Sequence, residues 1–131
     1  GASGVAHGVL AWLLMAAGAV LVVVRRQPLP AGEPSVVTVH EGGAFRVQGP
    51  EPTSGCLGAG TSARLKEQLA AADFTPPPPP EVQCMAMPTL ETTVEHPATG
   101  RSASARSPCG DPMNPSAAEV VRAVISATEP R

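Results

Sequence analysis

A single transmembrane α-helix, followed by a mostly irregular Pro/Gly-rich tail without an independent globular core, is the fold class this sequence predicts. Two observations predict it. One apolar run near the N-terminus is long enough to cross a bilayer, and the remainder is too poor in branched and aromatic residues to bury a core of its own. The division follows: an N-terminal transmembrane segment at residues 1–27, and an extended extramembrane tail at residues 28–131.

The run is Val5 to Val24, VAHGVLAWLLMAAGAVLVVV, twenty residues in which only His7, Gly8 and Gly18 fall outside the apolar set. As a helix rising about 1.5 Å per residue it would span roughly 30 Å, one hydrocarbon core. Its Leu and Val side chains favour insertion by several tenths of a kcal/mol each, about enough together to outweigh one His near the end. A cleaved signal peptide competes, with Ala17-Gly18-Ala19 as its small-residue site, but nothing basic precedes Val5. A buried helix of a globular domain would need other elements to cover it. The basic pair Arg25-Arg26, against an N-terminal side with no Lys or Arg, places the tail on the cytosol-like face and the N-terminus outside or in a lumen.

On that helix Gly4, Gly8, Ala11, Met15, Gly18 and Val22 step by three and four and share one stripe. A smooth seam of small residues lets a second helix approach in lipid, so these six are the candidate packing interface. His7 borders the stripe. An ionisable residue in a membrane is a candidate ligand, here for a pigment magnesium or a haem iron, against the plainer reading that it bonds a carbonyl.

Beyond Gln27 the tail holds all 16 prolines. Leu, Ile, Val and Phe make up 17 of its 104 residues, below the roughly 20% at which chains struggle to bury a core. Ordering entropy then exceeds what self-burial returns. After the Arg pair, seven Lys plus Arg stand against eleven Asp plus Glu, so no basic surface recommends nucleic acid. Cys56, Cys84 and Cys109 have neither metal spacing nor a C-x-x-C pattern; reduced thiols are the plain reading and one loop-closing disulfide is the alternative.

Local order is still predicted within the tail. A β-hairpin over 35–48 is the best strand signal, with Gly42-Gly43 as a two-residue turn that sets His40 opposite Phe45 and Thr38 opposite Val47. Short helices are expected over 63–73, capped by Ser62, and over 115–128, where Asn114-Pro115 is a cap followed by a first-turn proline. Gly55 to Ser62 has two glycines at phosphate-loop spacing, but it lacks the Lys and no strand is predicted before it. Pro76 to Pro80 form a polyproline II rod of roughly 15 Å. The segment 81–110 reads as irregular, with a solvated Ser-Arg loop over 99–108 as a conceivable phosphorylation site.

No nucleophile–base pair, acid pair, metal spacing or cofactor fingerprint emerges, so the sequence predicts a protein that is not an enzyme. The expectation is a non-catalytic, single-pass accessory subunit of a larger membrane protein complex, by analogy an energy-transducing one such as a photosystem. Its location would be the thylakoid, otherwise the mitochondrial inner membrane or plasma membrane. The partners would be transmembrane helices and extramembrane surfaces of other subunits, and lipid. No cofactor is required, and contacts with chlorophyll or another pigment would come through the assembly. The alternative is a membrane-tethered module presenting the polyproline segment to soluble partners. A spuriously translated frame is the third reading, since the chain lacks Tyr.

Overall fold

The computed structural model describes residues 18–81 and 84–130. Within them the chain forms β1 (Val20–Pro28), β2 (Ser35–His40), β3 (Ala44–Gln48) and β4 (Thr53–Cys56), then α1 (Ala59–Ala71). A long connection leads to β5 (Leu90–His96), β6 (Arg101–Ser107) and α2 (Pro115–Thr128). The six strands make one sheet in the order β4-β3-β2-β1-β5-β6. Every neighbouring pair is antiparallel. The first strand in sequence is therefore an interior one, paired with β2 on one side and β5 on the other.

Alternation along the strands sends one set of side chains to a helix-covered face. Val22, Val24, Val37, Val39, Phe45 and Val94 are buried there against Leu65 and Leu69 of α1 and Ala117, Val120, Val121 and Val124 of α2. The seven largest side chains exposed by less than 2% are all valines. Valine suits this core because its χ1 is already restricted, so little rotamer freedom is lost on burial. The opposite face carries Arg25, Arg46, Thr38, Thr93 and Glu95, as a solvated face of an antiparallel sheet should.

The predicted transmembrane helix is overturned here. Val20 to Val24, the end of the apolar run, lie in β1, and among the described residues no helix is long and apolar enough to cross a membrane. Four of those five residues are β-branched, and a run buried in a sheet interior looks like a buried helix to periodicity alone. Leu21 and Val22 are both buried because the pairing slips between Val20 and Val22, interrupting strict alternation. The earlier part of the run, with His7, Gly4, Gly8, Ala11 and Met15, lies outside the described residues.

The coreless tail is overturned with it, since β1 crosses the boundary drawn at residue 27 and supplies Leu21, Val22 and Val24 to the core. The accessory-subunit reading, its photosystem and thylakoid assignment, and the tethered alternative all rested on that helix and fall with it. So does the N-out topology.

Local expectations fare differently. β2 and β3 occupy the hairpin segment, but the loop holds Glu41, Gly42 and Gly43, and Val39 rather than His40 faces Phe45. Gly43, at φ +102°, sits where a Cβ would lie 3.2 Å from the Leu57 carbonyl oxygen. The first helix begins at Ala59, four residues before the expected start, with Gly58 as its cap, and Ser62 is buried inside it. α2 spans Pro115–Thr128, and the Asn114 side chain accepts a bond from the Ser116 N–H at 3.0 Å. The expected Ser-Arg loop is strand β6. Cys84 and Cys109 form a disulfide with Cα atoms 5.6 Å apart, so the loop-closing alternative holds in place of the reduced-thiol reading, while Cys56 is free and exposed.

Candidate functional site

Of the six predicted seam residues the structure describes two. Gly18 precedes β1 beside Glu41, and Val22 points into the core at 0% exposure. They do not line a common surface. The glycine loop opens a helix as expected and, contrary to expectation, follows a strand, yet Gly58 and Gly60 have no neighbour within 4 Å of a built Cβ and Gly55 serves packing. A Cβ on Gly55 would lie 2.8 Å from Cζ of Phe45, so this glycine lets the ring approach the β4 backbone.

Among the described residues hydroxyl and imidazole meet once, where Thr99 Oγ1 lies 3.3 Å from His96 Nδ1. The same hydroxyl donates to the His96 carbonyl at 3.2 Å, closing the β5–β6 turn. Phe74 stacks on the ring of His96, with centroids 6.3 Å apart. This is turn architecture, and among the described residues no carboxylate is bonded to the His96 ring. Among the described residues no group of three or more His, Cys, Asp or Glu is placed to hold a metal ion.

The sheet ends in two unlike edges. β4 has four residues, follows Pro52 and contains Gly55, all features that discourage pairing with another chain. β6 has seven residues, RSASARS, and no proline or lysine. Its backbone direction is set by two bonds. The Ser107 carbonyl accepts from Thr89 N–H at 2.8 Å on the β5 side, whereas the Arg106 N–H donates outward to the Asp111 carbonyl at 3.2 Å. Successive residues alternate, so the backbone groups of Ser102 and Ser104 also point outward.

β6 is held firmly from behind. Arg106 Nε donates to Glu91 Oε2 at 2.7 Å, and the Thr93 and Ser104 hydroxyls meet at 3.0 Å. Half-buried Ala103 packs against the core. A groove of 450 Å³ runs beside its first residues, between Arg101 and Ser102 on one wall and Asp73, Phe74, Thr75 and Pro76 on the other.

That second wall starts the predicted polyproline rod, which here is a mostly exposed strap tied at both ends. At one end Phe74 is buried at 7% exposure and the Asp73 N–H donates to Ser116 Oγ at 2.8 Å. Ser116 Oγ in turn donates to the capping Asn114 at 2.8 Å. At the other end is the Cys84–Cys109 disulfide, just past β6. The Thr75 backbone N–H bonds Asp73 Oδ1 at 2.8 Å. That bond first, then the Thr75 hydroxyl, hold the Asp73 carboxyl below its ordinary pKa against an opposing desolvation, with the Arg101 charge the weakest influence in the same downward direction.

Sequence reasoning missed β6 because nothing in RSASARS is strongly apolar; the alternation of Ala103 and Ala105 with serines was the available signal. No known protein family, curated protein or solved structure matches the chain.

Proposed function

We propose that this chain is a non-catalytic polypeptide-binding domain of an oxidising compartment, taking an extended strand on the free edge of β6. The carrying observation is the inequality of the two edges: β4 is short and broken by glycine, whereas β6 is long and presents outward backbone groups at Ser102 and Ser104. Strand addition draws affinity from such groups and selectivity from pockets beside them. The groove along Arg101 and Ser102 is such a pocket. The disulfide supports the compartment, since disulfides persist where thiols are not kept reduced. In this reading no cofactor is needed.

A displayed library of extended peptides, selected on the folded domain, tests it. Enriched peptides should lose at least about tenfold in affinity on Ser104→Pro, which removes an outward N–H that an edge strand can spare. They should be indifferent to Ser54→Pro at the other edge. Failure to enrich, or binding blind to Ser104→Pro, removes the proposal.

A further inference from the structure

The geometry points to a second copy of this chain as the strand that β6 receives, in one register, centred on Ala103. This rests on the edge-binding reading above and adds the identity of the partner. Outward groups belong to Ser102, Ser104 and Arg106, and in an antiparallel pair the hydrogen-bonded partners must both present such groups. The Arg106 N–H already donates to Asp111, so a pairing centred on Ser104, which needs Arg106, is closed. A pairing centred on Ser102 needs Gly100, whose N–H donates to the Pro97 carbonyl inside the β5–β6 turn. What remains sets Ser102 of one copy opposite Ser104 of the other, twice over, with Ala103 facing Ala103 across the two-fold axis.

The side chains agree with that register. Ser102 meets Ser104 on the open face, and Arg101 meets Ala105 on the helix-covered face, so no charge confronts a like charge. The residues at the seam are serine and alanine, small enough that neither copy obstructs the other. Arg101, Ser102 and Ser104 are exposed, which leaves the edge open where the new strand must lie. The product is one sheet of twelve strands, six from each copy.

Cross-linking reads the register directly. A facing pair without hydrogen bonds has Cα atoms about 4.5 Å apart, inside the span of a disulfide. In the full chain with Cys56→Ser, Ala103→Cys should form a covalent dimer under mild oxidant. Ser104→Cys, whose symmetry mate would be roughly 9 Å away, should not. Sedimentation equilibrium of the unsubstituted chain should show a dimer, and Ser102→Pro should raise its dissociation constant at least about tenfold. A chain that stays monomeric overturns the inference. So does a dimer that cross-links in the Ser104→Cys variant, or in neither variant. Library peptides that still bind a monomeric chain would leave the strand-addition reading standing and remove only the second copy.

Discussion

Val24 and Arg25 are neighbours whose fates in a strand are opposite. Val24 is 0% exposed and faces the helices, while Arg25 lies on the solvated side. Val24→Ala should cost about 2 kcal/mol, two methyl groups plus a residual cavity, and Arg25→Ala well under that, as chemical denaturation would measure. Equal effects would mean the run does not alternate. Gly55→Ala should also destabilise, by about 1–3 kcal/mol, because the added carbon meets the Phe45 ring. Gly58→Ala, with nothing within 4 Å, should not. Asp73 gives a pH signature. Its folded pKa lies below the ordinary 3.8, so its contribution is present above that value and lost as pH falls through the folded pKa. The Thr75 amide resonance should move in the same acid titration, and a Thr75 signal that ignores it would separate the two groups.

The elements divide by where their information lies. α2 is legible at residues 115–128 because Asn114 and Pro115 are local instructions, and the valines that follow have helical spacing. The hairpin strands are legible, but their register is not, since a three-residue loop replaces the expected two. β1 is misleading in the sequence because its burial depends on β5, which lies beyond a helix and a proline strap. β6 and its edge are hidden for a related reason: being an edge is a property of strand order, and no single segment encodes that. The strap itself depends on its covalent tie. Replacing Cys84 and Cys109 together by serine should lower stability by about 3.5 kcal/mol, the loop-closure value for their separation of 25 residues. Unchanged melting would show that Phe74 and Asp73 anchor the strap unaided.

At the scale of the whole molecule, β1 decides whether there is a domain at all. A fragment beginning at Gly18 should melt cooperatively, because it contains every described strand. One beginning at Pro28 should show no cooperative transition, having lost the strand between β2 and β5. Comparable melting of the two would refute the assigned strand order. The low apolar count of the tail is reconciled in the same way. That count assigns Val20 to Val24 to a membrane, and once they join the sheet their side chains complete a densely packed core with the leucines of α1, the valines of α2 and Phe45.

Strand order also has a consequence for synthesis. Of the described strands β1 leaves the ribosome first and finds β2 at once, but its other edge waits for Leu90, with 61 residues from Leu29 to Thr89 still to be made. At about 5–20 residues per second that interval is roughly 3–12 s, during which a valine-rich edge is open to any neighbouring nascent chain. Whatever shelters the emerging polypeptide in those seconds shares responsibility for its yield.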